Sequence, residues 1–299
     1  MANKKTHIFT DCDLDGVCSY LVYSWMVDTK CTYTVCRVND IKKNVSRWLD
    51  SNNPDNYEKI IFLDLDVSSH DVMDLIDREN VYIYDHHITH VNNVKNYKHA
   101  NVYVEEYTST CKLIYKYNKD LKEKLTPAQK LLILMGDDYD SYQFKVPNSY
   151  ELNVLFWSLT GARFDKFVEM FDEGFTGFND QQSNIIQLWK NKLDRIKSNL
   201  EVYHANVPIK NDNYKIVTAF ATECINDIAD YIIKKHTADV GLVVNTKSSK
   251  VSFRKNKDCK LDLSKFSQSV CDSAGGHTFA SGGMLCDKFL QFSQIFKPI

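Results

Sequence analysis

The chain has 299 residues, 43% hydrophobic and 25% charged, with a formal net charge of −2. That supports one large domain or two smaller ones, and with ten Gly and five Pro it excludes a fibrous or low-complexity protein. No apolar run approaches the ~18 residues of a membrane span, and near-neutral charge argues against a protein that tracks long DNA, where a marked basic excess is usual. Residues 1–6 carry no apolar leader, so the expected compartment is the cytoplasm. Nine cysteines without a CxxC pair fit reduced thiols. Cys31 and Cys36, in a β-rich run, read as buried structural residues rather than zinc ligands.

In chain order, a short β-type run, His7-Ile8-Phe9, leads into Thr10-Asp11-Cys12-Asp13-Leu14-Asp15-Gly16. In extended backbone, side chains two apart point the same way. Asp11, Asp13 and Asp15 are therefore expected to crowd at a strand end, and such like charges repel unless a cation lies between them. Gly16 allows a turn into a helix over 17–26. A strand over 31–37 and an amphipathic helix over 41–49 follow. Lys59-Ile60-Ile61-Phe62-Leu63 reads as a strand buried on both faces and ends in Asp64-Leu65-Asp66. Ser68 or Ser69 can cap a helix over 71–78. Val81-Tyr82-Ile83-Tyr84 is a further strand, ending in Asp85-His86-His87. This alternation predicts a parallel sheet with helical crossovers, whose acid- and histidine-tipped strand ends should converge on one edge.

A strand over 101–105 and a helix from Ser109 to Tyr117 come next. Thr126 and Pro127 open a helix, Thr as N-cap and Pro in the first turn, which runs to Met135 and meets Gly136-Asp137-Asp138-Tyr139-Asp140. Residues 147–204 read as helical, with one connecting helix over 179–204. A second alternation then begins: strands over 214–220, 240–244 and 250–254, a helix over 225–236, a helix over 260–270, a glycine-rich loop over 274–283, and a short closing strand over 292–296.

Asp and His donors with open positions suit Mn²⁺ or Mg²⁺ better than a closed zinc cage. Two such ions would clamp a phosphoryl oxygen and the attacking hydroxide. A lone acid at a strand end is normally a solvated loop residue; four clusters at predicted element ends are harder to dismiss. Lysines crowd residues 247–265, and a charge run is usually a solvated face. Arg254 differs because it ends a strand, where a guanidinium fork can grip phosphate. Gly275 and Gly276 let backbone N–H groups approach a phosphate.

The ordered set Asp13-Leu14-Asp15-Gly16 with Ser19, Asp64, Asp85-His86-His87 and Gly275-Gly276-His277 resembles the signature of the DHH phosphoesterase superfamily. The first motif is closest to its RecJ-type nucleases. Val251-Ser252-Phe253-Arg254 and the loop 275–283 resemble the DHH-associated C-terminal domain. The resemblance implies an α/β fold: a parallel-sheet domain with helices on both faces, and a smaller α/β domain joined by a helical linker. Its expected bounds are a metal-binding domain at 1–178, a connecting helix at 179–205 and a substrate domain at 206–299, with substrate in the cleft between the domains.

The resemblance further implies Asp13, Asp15, Asp64 and His86 as ligands of two Mn²⁺, or Mg²⁺, ions. The last ligand is Asp140, with Asp137 and Asp138 as alternatives. His87 would face the scissile phosphate, Asp85 would orient the histidines, and Arg254, Gly275, Gly276 and His277 would grip substrate. Many relatives have a metal-binding His where this chain has Phe9; Asp11, or else His7, is the candidate to complete that shell. The implied activity is hydrolysis of short oligonucleotides or single-strand ends to nucleoside monophosphates. Cyclic nucleotides or dinucleotides, pyrophosphate or polyphosphate, and a binding module that has lost its chemistry remain alternatives. The partner is then a short single-stranded nucleic acid or nucleotide, not a membrane, and the sequence does not decide between monomer and homodimer.

Overall fold

The computed structural model describes residues 5–27, 31–118, 120–276 and 278–299, with only the backbone given for residues 70, 121 and 122. The chain forms two compact units, up to residue 186 and from residue 187 on. The first contains, in order, β1 (Lys5–Asp11), α1 (Leu14–Ser24), β2 (Thr32–Cys36), α2 (Ile41–Ser51), β3 (Tyr57–Leu63), α3 (His70–Ile76), β4 (Val81–Asp85), α4 (Ile88–Asn93), β5 (Asn101–Val104), α5 (Thr110–Tyr117), α6 (Leu121–Lys124), α7 (Pro127–Asp140), α8 (Ser149–Ser158) and α9 (Arg163–Phe171). Helix α10 (Asp180–Ser198) spans the division.

The five strands form one sheet in the order β2-β1-β3-β4-β5, every neighbouring pair parallel. One face packs Phe9, Ile60, Phe62 and Ile83 against Ile41, Val45 and Trp48 of α2 and Val72 and Ile76 of α3. Strand alternation sends Ile8 and Ile61 the other way, where α1 packs on β1 and against α5 and α7. Phe62 is fully buried, and truncating it to Ala would cost about 3–5 kcal/mol. Helices on both faces leave the C-terminal rim of the sheet for ligands.

The second unit contains β6 (Val202–Ile209), β7 (Asp212–Phe220), α11 (Ile225–His236), β8 (Val240–Asn245), β9 (Lys250–Lys255), α12 (Leu263–Val270), β10 (Asp272–Gly276), β11 (Ala280–Met284), α13 (Asp287–Ser293) and β12 (Lys297–Pro298). Its seven-stranded sheet runs β10-β11-β9-β8-β7-β6-β12. Only β7 and β8 are parallel; the other neighbours are antiparallel. Leu242, Val244, Val251 and Phe253 pack against Leu263 and Phe266 of α12, while Val217, Ala219 and Val243 pack against Ile228 and Ile232 of α11.

Several expectations change. The connecting helix expected over 179–205 ends at Ser198, and Val202–Ile209 is β6. Ala205 and Val207 alternate inward there, a period-2 signal hidden by the helical periodicity before it. The glycine-rich 274–283 segment is mostly paired strand, not loop. The helix expected from 260 starts at Leu263, capped by Asp262. Helix α13 (Asp287–Ser293) runs into the closing strand expected over 292–296, and the terminal strand is only Lys297–Pro298. Helix α7 does not stop at Met135; it carries Gly136–Asp140 in its last turns.

Candidate metal centre

Asp11, Asp13 and Asp15 do not line one strand. Asp11 ends β1, Asp13 caps α1 by accepting from the Gly16 N–H at 2.9 Å, and Asp15 lies in the first helical turn. The turn is tight: a Cβ on Gly16 would lie 2.4 Å from the Asp11 carbonyl oxygen, so only glycine fits. Thr10 Oγ1 closes the loop by donating to the Gly16 carbonyl at 2.7 Å. Asp15 is buried against the start of α5, where Thr110 N and Cys111 N donate to its two oxygens at 2.6 and 3.0 Å. A helix N-terminus favours that negative charge.

Asp64 follows β3 with φ of 58°, a conformation uncommon for a residue with a Cβ. It is buried, and Thr110 Oγ1 donates to its Oδ1 at 3.0 Å. His86 follows β4. Its Nδ1 donates to the Tyr107 carbonyl, 3.2 Å away, which directs Nε2 toward three carboxylates: Asp140 Oδ2 at 3.4 Å, Asp64 Oδ1 at 3.5 Å and Asp15 Oδ2 at 3.9 Å.

Among the described residues, three sets of donor atoms each lie within 4.8 Å of one another: Asp11, Asp13 and Asp64; Asp15, His86 and Asp140; and Asp64, His86 and His87. Asp64 and His86 each belong to two sets, so the sets form one continuous centre. Oxygen and imidazole donors, with a carbonyl fixing the His86 tautomer, fit a divalent cation. The electrostatics agree. Burial and the nearby Asp64 push Asp11 up to about 6. Burial, with Asp11 for Asp13 and Asp64 for Asp15, pushes those two up to about 7. Burial and Asp15 push Asp140 well above the carboxylate range. Burial opposes charge on His86, but Asp64 and its acidic neighbours raise it to about 11. Acids crowded this closely and buried resist ionising together, and a cation among them would favour their charged form.

Of the three acids at the end of α7, only Asp140 meets His86. Asp137 is held by Thr108, by Ser109 Oγ at 2.9 Å and by Lys112 Nζ at 2.7 Å. Asp138 braces the next loop, accepting from Lys145 N, Val146 N and Ser149 Oγ at 2.8, 3.1 and 2.6 Å. His7 is also elsewhere: it stacks on Trp48 and binds Thr32 and Thr34, and burial lowers it to about 4. Phe9 stacks on Phe62 in the core. Cys31 and Cys36 are buried and belong to none of the donor sets found among the described residues.

The profile of the DHH family, N-terminal domain, matches residues 5–136. Residues 5–136 thus carry the N-terminal domain of the DHH family. The DHH domain of a protein described as a member of a ribosomal-protein family superposes with a TM-score of 0.64 at 11% identity, covering 93% of this chain and 82% of that one. PggH, a pGpG-specific phosphodiesterase from Vibrio cholerae, gives 0.57 at 11% identity, covering 97% and 96%. RecJ of Thermus thermophilus, solved with Mn²⁺, gives 0.56 at 12% identity, over 97% of this chain but 51% of RecJ. At such identities the likeness is one of fold. No curated protein sequence matches the chain.

The DHH triplet itself holds a network that the sequence reading only half anticipates. Asp85 is fully buried. One oxygen meets His87 Nδ1 at 2.6 Å and the other His90 Nδ1 at 2.7 Å. Burial opposes its charge, yet these two imidazoles hold Asp85 far below the carboxylate range. Asp85 in turn raises His87 to about 10 against the opposing effect of burial. His90 is buried and reaches Tyr97 Oη through Nε2 at 2.9 Å. Sequence reasoning misses His90; its signal is its place in the first turn of α4, three residues after the N-cap His87. In the second unit, Arg254 on β9 lies opposite Ala280, whose neighbour Ser281 pairs with Gly276 of β10. The Arg254 Nη2 donates to Asn226 Oδ1 at 2.7 Å. Gly276 has φ of 127° and no room for a Cβ, whereas Gly275 faces open space. His277 lies outside the described residues. Among the described helices none is long and apolar enough to cross a membrane.

Proposed function

We propose that this chain is a metal-dependent phosphodiesterase, with Mn²⁺ as its ion, that hydrolyses short single-stranded oligonucleotides or single-strand ends to nucleoside monophosphates. The observation that carries the reading is His86 Nε2 directed at Asp15, Asp64 and Asp140 while Nδ1 is fixed by a carbonyl. Two fold relatives support it, since RecJ is by name an exonuclease seen with manganese and PggH a phosphodiesterase for a dinucleotide. PggH is matched over almost its whole length, which favours substrates of dinucleotide size.

In this reading Asp11, Asp13, Asp15, Asp64, His86 and Asp140 hold two divalent ions. Bound there, the ions would neutralise charge on the phosphate and lower the pKa of water. The chain's own residues do the rest. Asp85 accepts from His87 Nδ1 and so favours its imidazolium form, which can donate to a phosphate oxygen as charge builds on it. Asp85 also fixes the orientation of that ring, with His90 and Tyr97 behind it. The peptide N–H groups of Thr110 and Cys111 fix Asp15 before substrate arrives. Arg254, Gly275 and Gly276, with His277 assigned by resemblance alone, serve as the phosphate grip of a substrate domain over 206–299.

Incubation with Mn²⁺ and a panel of 5′-phosphorylated dinucleotides, 5-mers, long single strands, cyclic dinucleotides and polyphosphate tests this. The expected result is fastest release of monophosphates from the dinucleotides and 5-mers. Turnover of polyphosphate alone, or of cyclic dinucleotides alone, would overturn the substrate; no turnover of any would overturn the activity.

A further inference from the structure

A cavity of about 290 Å³ opens between β2 and α9, lined by Cys12, Tyr33, Phe156, Arg163, Phe164 and Asp165. It begins at Cys12, whose chain neighbours Asp11 and Asp13 both belong to the carboxylate centre. Its walls are aromatic and braced. The Tyr33 and Phe164 rings lie 5.0 Å apart, and Tyr20 packs edge-on against them at 4.8 and 5.4 Å. Flat apolar walls suit a planar ring, because stacking rewards any π face.

Its charged lining groups are two, Arg163 and Asp165, of opposite sign. The Arg163 guanidinium lies 4.5 Å from the Trp157 ring centre and 5.5 Å from that of Phe156. Its Nε donates to the Leu159 carbonyl at 3.2 Å and its Nη2 to the Trp157 carbonyl at 3.5 Å. The fork is thus held in place, with three of its five N–H groups left for a ligand. Asp165 accepts from Tyr33 Oη through Oδ1, which leaves Oδ2 as an acceptor. A pocket for phosphate alone would not carry a carboxylate. One for an aliphatic group would not carry either charge.

We propose that this cavity is a nucleobase subsite beside the carboxylate centre, taking the base of the nucleotide whose phosphate is at that centre, and that guanine is the base it fits best. The inference rests on the phosphodiesterase reading of the centre and names the substrate feature that reading leaves open. Arginine pairs with the adjacent acceptors O6 and N7 of guanine. A carboxylate accepts from the N1–H and N2–H₂ donors on the same ring. Adenine presents an amino donor where guanine has O6, which sets it against the guanidinium.

Calorimetric titration of the full chain with GMP, AMP, CMP, UMP and ribose 5-phosphate, in the presence of Mn²⁺, tests the subsite without any turnover. GMP is expected to bind at least about tenfold more tightly than ribose 5-phosphate, and more tightly than AMP. Arg163→Ala and Asp165→Asn should each weaken GMP by about tenfold and leave ribose 5-phosphate unchanged. Asp165 is exposed, so Asp165→Asn keeps the test alive should Arg163→Ala fail to fold. Equal affinity for GMP and ribose 5-phosphate, or unchanged GMP affinity in Asp165→Asn, would overturn the subsite. Pocket-dependent GMP binding without dinucleotide hydrolysis would instead overturn only the phosphodiesterase reading.

Discussion

The two sheets assemble their candidate functional residues by different means. In the first, all five strands run one way, so β1, β3 and β4 deliver Asp11, Asp64 and Asp85-His86-His87 to a single rim. Strand direction alone brings these distant residues together. In the second sheet most neighbours are antiparallel, so most neighbouring strands end on opposite edges. Arg254 and Gly276 come near one another only through the register of β9 and β10 across β11. The first arrangement concentrates charge that calls for a cation. The second offers donors and room, which suits a grip on substrate rather than its chemistry.

That contrast predicts a graded response to substitution. His86→Ala, on the first rim, should lower turnover of a dinucleotide with Mn²⁺ by at least about 10³-fold, a loss on the scale of removing a principal charge-stabilising group. Circular dichroism should show the fold retained; turnover within tenfold of wild type would mean that the rim does not carry the chemistry. Behind the rim, Asp85→Asn should cost about 10–100-fold in kcat, as loss of an orienting partner does. KM should stay near its wild-type value, and a change confined to KM would instead place Asp85 in substrate binding. On the second sheet, Arg254→Ala should raise KM by about tenfold through loss of a charge-assisted contact, with kcat nearly unchanged. Steady-state kinetics separate the cases, and a collapse of kcat in Arg254→Ala would erase the distinction between the two sheets.

The smallest effect concerns pH. In the metal-free chain Asp13 and Asp15 sit near 7, against an ordinary value of 3.8, because burial and their acidic neighbours disfavour the charged form. The folded state then holds protons that the unfolded state has released. Stability from this source is full below about pH 4 and is lost as pH rises through about 7. His86, raised to about 11 by Asp64 and its neighbours despite burial, contributes stability below its ordinary value and loses it at still higher pH. A divalent ion takes the place of those protons. Thermal melts should therefore show the gain in Tm on adding Mn²⁺ growing between about pH 5 and about pH 8. A gain independent of pH would mean that the ion binds elsewhere.

Much of the first unit was legible because its signals are local and strong: apolar runs for buried parallel strands, Thr126-Pro127 for a helix start, and acids at the strand ends. The expected Thr126 cap forms, and Gln129 completes a capping box with it. What was not legible depends on contacts that sequence spacing does not encode. Asp137, Asp138 and Asp140 look alike in sequence, yet they separate into a partner for Lys112, a brace for the 145–149 loop and a neighbour of His86. His90 is invisible until Asp85 is seen between two imidazoles. The strands of the glycine-rich 272–284 hairpin lack the β-branched residues that usually mark strands; they form because β9 supplies a template on one side.

The central claim is that carboxylates and an imidazole from β1, β3, β4 and α7 form one cation-binding rim, with Asp64 common to two of its donor sets. Titration of Mn²⁺ into the wild-type chain and into Asp64→Asn, followed by calorimetry, tests it most directly. Saturable binding that weakens by at least about tenfold in the variant is the predicted result. Superimposable isotherms from the two proteins would contradict it.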